Sequence, residues 1–225
     1  MNYQVKSIDY QDCKEWFLKK HYLKRLPSIS FCFGLYENEI LIGVCSFGNA
    51  IPLTMKRSIC GKEYEGLVYE LNRLILNDNH YKNAPSFFVS QCLNMLPKPT
   101  IVVSYADKSQ GHNGYIYQAT NFIYAGLSHT QKDWVIRGEE KKHSRTLMDE
   151  FAFQPNRIQL LKEKYGDRLY QVQRQPKHRY IYFVGNKKQK KELISKLIPK
   201  PKPYPKGENK RYDASYKPLT QIKLL

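Results

Sequence analysis

Residues 100–124 read TIVVSYADKSQGHNGYIYQATNFIY, and the fold turns on this stretch. Its opening, Thr100–Ala106, is a short β-branched run, which predicts a strand buried on both faces. A polar turn follows, and Gly114–Tyr124 then has helical character, closed by Gly126. Upstream, Ser86–Leu96 (SFFVSQCLNML) has the length and spacing of a helix that Pro97 and Pro99 stop. Before it, Val68–Leu76 (VYELNRLIL) alternates and reads as a strand. Earlier still, Ser30–Tyr36 and Ile40–Phe47 flank a polar Glu37-Asn38-Glu39 turn, the pattern of a β-hairpin. The ten or so residues after Asp9 predict an amphipathic helix ending near Lys20. Downstream come strands at Trp134–Arg137 and His178–Val184, a basic helix at Lys187–Leu197, and a Pro-rich extended exit at Pro199–Pro205. This order predicts the α+β class: a mixed, largely antiparallel sheet flanked by helices, with a basic C-terminal extension.

Charge separates the C-terminal quarter from the rest. The 225 residues carry a net +17, and Arg174–Leu225 alone hold 15 Lys/Arg against 3 Asp/Glu. Such an imbalance costs self-repulsion in the compact state and points to a polyanionic partner. The expected organisation is a catalytic domain over 1–173, a basic strand and helix completing it over 174–198, and a Pro/Lys-rich tail over 199–225. The 18 tyrosines suit stacking on bases as well as a ring-rich core. Five cysteines without a CxxC pair read as reduced, mostly buried thiols. No run of 18 apolar residues and no signal-peptide core occur, so the expected location is the cytoplasm, with no membrane partner. The chain has neither GxGxxG after a strand nor GxxxxGK[ST], which sets aside Rossmann cofactors and P-loop nucleotides. No glycine-rich strand-to-helix turn for S-adenosylmethionine is visible either.

The succession of hairpin, VYELNRLIL, helix, TIVVSYAD and YIYQATNFIYAG resembles the layout of GNAT acyltransferases. Glu70, Leu71 and Leu74 match that family's Glu-Leu-x-x-Leu strand. Ile116-Tyr117 and Asn121-Phe122 stand where its Leu-Tyr…Gly-Phe signature falls, with Asn in place of Gly. A sharper resemblance is to the Mom family of phage DNA-modification proteins. It is carried by SYADKSQGHNGYIYQATNFIYAG, His21-Tyr22 with Leu26-Pro27, YELNRL, Asn83-Ala84-Pro85-Ser86, Lys177-His178-Arg179-Tyr180 and Tyr204-Pro205-Lys206. That resemblance implies a GNAT-like fold. It also implies conversion of the exocyclic amino group of adenine in double-stranded DNA to a carbamoylmethylamino group, a protection of phage DNA against restriction in the bacterial host.

GNAT enzymes cradle acyl-CoA on a glycine-containing loop at a helix N-terminus. The corresponding stretch here, Asn77–Ser86, has no glycine, so backbone cannot approach a diphosphate as closely. The donor is then acyl-CoA on an altered loop, or a glycine-derived group carried for example on aminoacyl-tRNA. Arg73, Asn83, Ser86 and Tyr105 are the residues expected to bind it.

Adenine's amino nitrogen is a poor nucleophile, and its enzyme must accept a proton, align the amine and activate the electrophile. Asp107 can accept that proton, or cap the Ser109–Gly114 turn, while Tyr105 can stack on the base. Tyr117 takes the place where many GNAT enzymes set a Tyr as general acid; the plainer reading is a core ring. Glu70 faces either the active site or Arg73. By the family pattern His21 is a base or a metal ligand, although no His/Asp/Glu group has metal-ligand spacing in the sequence. Lys177 and Arg179, with Lys187, Lys188, Lys190 and Lys191 on the basic helix, form the expected phosphate footprint. Two other readings share these features: a GNAT acyltransferase acting on tRNA or aminoacyl-tRNA, and a non-catalytic DNA-binding module.

Overall fold

The computed structural model describes residues 2–208. The chain opens with an edge strand, β1 (Tyr3–Ser7), then α1 (Tyr10–Glu15), which runs into a π-helical turn over Trp16–Lys20. The expected hairpin forms as β2 (Phe31–Glu37) and β3 (Ile40–Gly48), and α2 (Leu53–Cys60) follows. Next come β4 (Val68–Leu76), α3 (Ala84–Met95), β5 (Thr100–Asp107), α4 (Tyr115–Ala119) and β6 (Ile123–Leu127). The stretch β7 (Gln131–Ile136), α5 (Ser144–Asp149), α6 (Arg157–Tyr165) and β8 (Leu169–Arg174) precedes the closing pair β9 (Lys177–Val184) and α7 (Lys187–Ser195).

Two compact units result. One is built from the chain up to Leu127 and from Lys177 onward; the other is Ser128–Pro176. The unit boundaries fall at 127/128 and 176/177, rather than at the composition breaks of 173 and 198. In the first unit seven strands lie in the order β1-β2-β3-β4-β5-β9-β6, and every pair is antiparallel except β4–β5. This is the α+β architecture expected from the sequence. In the second, β7 and β8 form a two-stranded ribbon whose own core is Ile136, Leu147 and Leu161.

The sheet of the first unit is covered on both faces. Val102 and Ala106 of β5 pack with Phe88, Val89, Cys92 and Leu93 of α3. Their neighbours Ile101 and Val103 face the other way, towards Ile59 of α2 and Leu193 of α7. This two-sided burial is why the strand is continuously apolar. All five cysteines are buried and free.

One expected helix is much shorter than its pattern. Instead of running from Gly114 to Tyr124, it ends at Ala119. The Thr120 hydroxyl donates back to the Ile116 carbonyl at 2.9 Å, and Asn121 takes a left-handed φ of 60°. Ile123 and Tyr124 then pair with Ile181 and Tyr180 as strand β6. Gly114 has φ 75°, and a Cβ there would lie 2.4 Å from the buried Tyr180 ring, so glycine is what lets α4 start against β9.

The exit after α7 is irregular, as its prolines dictate, but it is tied down. The Lys202 N–H donates to Tyr124 O at 2.9 Å, and the Tyr204 hydroxyl to Phe122 O at 2.8 Å. The remainder of the expected tail, 209–225, lies outside the described residues.

Candidate active site

The single parallel pair creates the cleft. β4 and β5 are bonded only from Val68↔Ile101 to Leu71↔Ser104. Beyond that point β4 stays with β3 as far as Leu76, while β5 stays with β9 as far as Asp107. The two strands therefore diverge. Within β4 the pairing passes from Ser46↔Arg73 to Phe47↔Leu71, so Asn72 is the extra residue of a bulge on β4 that adds local twist. A cavity of about 380 Å³ lies here, lined from β4 by Glu70 and Arg73 and from β5 by Tyr105 and Asp107. Tyr117 of α4, Lys177 of β9 and His21 complete the polar wall.

His21 ends the π-helical turn, its N–H donating to Trp16 O at 3.0 Å. Its Nδ1 accepts from the Leu23 N–H at 3.1 Å, so the neutral ring carries its proton on Nε2. Burial, with Arg73, Lys177 and His112 nearby, drives its pKa down to about 2. The ring is thus neutral at any working pH, a hydrogen-bond donor through Nε2. Tyr22 stacks on it at 4.4 Å between centroids.

Glu70 and Asp107, the two carboxylates named from the sequence, have opposite environments. Burial raises the pKa of Glu70 against the attraction of Lys177 and Arg73. Asp107 is also pushed up by burial, but the Ser109 hydroxyl and Lys177 outweigh this and hold it below the usual range. Its Oδ1 accepts from Ser109 N–H at 3.0 Å and Oγ at 2.7 Å, and its Oδ2 pairs with Lys177 Nζ at 2.9 Å. Asp107 therefore both caps the turn and steadies a cation in the cleft. The two carboxylates of the cleft are thus driven in opposite directions, Glu70 up and Asp107 down.

Arg73 donates Nη1 to Asn72 O at 2.7 Å and Nη2 to Arg25 O at 3.4 Å. Its buried Nε has no hydrogen-bond partner among the described residues. A donor left over in this way is open to a water or a ligand acceptor. The Tyr117 ring packs 5.3 Å from both Phe122 and Tyr180. Burial pushes its hydroxyl pKa up to about 12, only partly offset by a hydrogen bond with Ser104, so it stays protonated. Tyr105 donates its hydroxyl to Met55 Sδ at 2.7 Å, and burial keeps it protonated too.

Other expected site residues fall elsewhere. Asn83 precedes α3 without a side-chain capping bond, and Ser86 donates to Asn83 O at 3.0 Å; neither lines the cavity. Their loop contributes Asp78, His80, Lys82 and Pro85 instead. Those charged rim residues went unnamed at the sequence level, although the run DNHYK ahead of a helix start was the available signal. Lys187, Lys188 and Lys191 are exposed on α7, whereas Lys190 lies over the Tyr182 ring at 5.2 Å. Arg179 is half-buried, and its Nε has no partner among the described residues. Lys177, expected on the phosphate footprint, belongs to the cleft. No group of three or more His, Cys, Asp or Glu side chains placed to hold a metal occurs among the described residues. None of the described helices is long and apolar enough to cross a membrane.

A mixed, largely antiparallel sheet opened at its parallel pair into a polar cleft defines an α+β chain. Within that class, the chain belongs to the Mom protein family, whose model matches residues 2–206. It is 32% identical over 217 residues to the methylcarbamoylase Mom of Escherichia phage Mu, covering 92% of this chain and 87% of that protein. Among solved structures it is similar to a GNAT-family acetyltransferase from Bacillus cereus, with a TM-score of 0.42 and 11% identity over 81% of this chain and 98% of that one. An N-acetyltransferase from Staphylococcus aureus gives a TM-score of 0.43 at 11% identity, over 82% of this chain and 99% of that one.

Proposed function

We propose that this chain is a transferase that converts the exocyclic amino group of adenine in DNA to a carbamoylmethylamino group. It would act in the cytoplasm of a bacterial host and shield phage DNA from restriction. The observation that carries the reading, in a chain of this family, is the cleft's division of labour. One half-buried carboxylate with a raised pKa, Glu70, is poised to take up a proton, and donors that hold theirs line the same cavity: the His21 Nε2–H, the Tyr117 hydroxyl and Arg73.

In this reading the base leaves the stack and its amino nitrogen attacks the methylene carbon of a donor X–CH2–C(=O)NH2: the N–C bond forms as the C–X bond breaks, and Glu70 accepts the proton that the nitrogen loses. The Arg73 Nε–H is the donor available to the carbamoyl oxygen of that group, orienting its methylene towards the amine. Tyr117 supplies the proton that leaves with the departing group. Asp107 acts through Lys177, keeping that ammonium beside Glu70 so that the carboxyl is not driven wholly to its neutral form. His80, Lys82 and the N-terminal turn of α3 suit the anionic part of the donor. The donor must carry –CH2–C(=O)NH2 on a leaving group at the methylene carbon; simple acyl transfer from acyl-CoA or from a glycyl ester such as aminoacyl-tRNA would leave an amide on the adenine instead.

Nucleosides digested from DNA and RNA of expressing cells test this directly. The expected product is a deoxyadenosine in which carbamoylmethyl replaces one amino hydrogen, in DNA that resists restriction enzymes cutting at adenine-containing sites. Ordinary DNA nucleosides beside a modified RNA nucleoside would transfer the activity to RNA.

Duplex affinity in this reading comes largely from α7. Changing Lys187, Lys188 and Lys191 to Gln should weaken binding to all sequences alike. It should flatten the slope of log affinity against log salt by up to about 2.7, about 0.9 per lost phosphate contact. Titrations between low and physiological salt measure this, and an unchanged slope would place the DNA-facing surface elsewhere.

A further inference from the structure

One face of the β5–β9 pair changes character rung by rung towards the cleft. In the antiparallel register Ile101 lies opposite Phe183, Val103 opposite Ile181, Tyr105 opposite Arg179 and Asp107 opposite Lys177. Cross-strand partners share a face, so these four pairs form one ladder, all within the same compact unit. The first two rungs are apolar and pack with Ile59 of α2 and Leu193 of α7. The last is an ion pair, Lys177 Nζ lying 2.9 Å from Asp107 Oδ2. The third rung sets a tyrosine against an arginine, and the cleft chemistry leaves that arginine unused.

Arg179 is half-buried, and its buried Nε has no hydrogen-bond partner among the described residues. The carboxylates of the cleft are committed elsewhere. Asp107, on the adjoining rung, accepts from Ser109 at Oδ1 and from Lys177 at Oδ2. Glu70, beside Val103 on β4, is attracted by Lys177 and Arg73. A guanidinium stays charged at any working pH, and holding it part-way out of water without an anion is costly. Its planar fork matches the oxygens of a phosphate, and a phosphate there offsets that cost. The Tyr105 hydroxyl donates to Met55 Sδ of α2 at 2.7 Å and so keeps the ring in place beside the fork.

The position of the fork identifies the anion. Tyr105 lines the cavity, and Arg179 stands one strand beyond it, about 4.8 Å away between backbones. A base seated in the cavity has its phosphates one sugar away, which brings one of them towards that fork. The donor's anionic part, in the reading above, meets the N-terminal turn of α3, and α3 covers the opposite face, against Val102 and Ala106. Arg179 is on the face covered by α7, to which that reading assigns the duplex footprint. Resting on that DNA reading, we infer that Arg179 holds a phosphate next to the adenine that enters the cavity. It thereby positions the target strand, while α7 supplies affinity that is indifferent to sequence.

The test uses the full chain and short DNA duplexes holding one mismatched adenine, which costs less to extrude than a paired one. One phosphodiester at a time is replaced by a neutral methylphosphonate. With wild-type protein, neutralising one of the two linkages that flank this adenine should weaken binding about tenfold, the scale of a charge-assisted contact. With Arg179→Met, which keeps the buried stem but loses the fork, neither flanking linkage should matter by more than about twofold. Linkages farther along the duplex should cost both proteins alike. In expressing cells Arg179→Met should lower the modified fraction of plasmid deoxyadenosine about tenfold, for the same lost contact. Its thermal midpoint should hold or rise. Flanking linkages that cost both proteins equally or not at all, or wild-type modification by Arg179→Met, overturn the assignment. So does a thermal midpoint that falls in step with activity, the mark of a structural arginine. A wild-type protein that leaves deoxyadenosine unmodified overturns the DNA-modification reading instead, and the methylphosphonate comparison, which needs no donor, still decides the role of Arg179.

Discussion

Glu70→Gln is expected to reduce adenine modification to about one thousandth of wild type while leaving the protein as stable or more so, general-base catalysis being worth about 10² to 10⁴. The two effects have one cause. Burial raises the pKa of Glu70, so in the folded chain its ionised form is held at a cost. A carboxyl with a raised folded pKa binds its proton more tightly in the folded than in the unfolded state. Stability is then lost as pH rises from the ordinary carboxylate range through the folded value. Gln is nearly isosteric and uncharged, so it removes this loss at neutral pH, and it also removes the proton acceptor. A purely structural Glu70, paired with Arg73 or Lys177, would behave in the opposite way, with stability falling and activity following it. The pH profile gives an independent check. The base must be ionised to act, so the acidic limb of wild-type activity should lie above the ordinary carboxylate range, in the direction of the shift. The comparison needs the modified fraction of plasmid DNA after a short fixed induction, thermal midpoints across pH, and rates against pH once the donor is in hand. Activity retained by Glu70→Gln would pass the role of base to another group.

Much of this cleft is legible in the sequence because its walls are strands of simple pattern. β4 and β5 are recognisable as apolar runs of strand length, and Glu70, Arg73, Tyr105 and Asp107 stand out as polar interruptions in or at the ends of such runs. A charge inside a buried strand needs a cavity or a partner, so those interruptions mark the place where the sheet opens. What a linear pattern cannot convey is the pairing that gives each carboxylate its role. Nothing in the spacing shows that Ser109 and Lys177 converge on Asp107, or that Glu70 is opposed only by more distant cations.

The misread elements share a physical reason too. β1 is five residues of YQVKS on a sheet edge, where one neighbour suffices and no apolar run is required. The unit 128–176 reads as one strand because its core needs only Ile136, Leu147 and Leu161, spread over short polar helices. The end of α4 is set by a threonine bonding backwards and an asparagine with positive φ, choices that helical spacing alone does not reveal. Lys177 shows the limit of charge reading. Its place in a basic segment suggests phosphate, whereas its position opposite Asp107 on β9 puts it in the cleft.

Arg73→Lys should lower modification about a hundredfold, the scale of a donor held out of line, although the charge is kept. The guanidinium is fixed by two backbone acceptors, Asn72 O and Arg25 O, which orients its plane and leaves Nε–H over for a ligand. An ammonium has no such fork: it can serve a carbonyl or the substrate, but not both in fixed geometry. Duplex binding and its salt slope should be unchanged, because Arg73 lies in the cleft and the phosphate footprint is assigned to α7. Thermal stability should fall only modestly, since one backbone acceptor can be satisfied by the new ammonium and the other lies near the cavity. The neighbouring carboxyl supplies a second signature. Arg73 is one of two cations that lower the pKa of Glu70, so a flexible ammonium at this position should let that pKa rise further. The acidic limb of the residual activity should therefore move to higher pH in Arg73→Lys, a displacement that mere loosening of the fold would not produce. Full activity with an unshifted limb would show that Arg73 only pins β4 to the loop at Arg25, and the orphaned Nε would then have no part in the transfer.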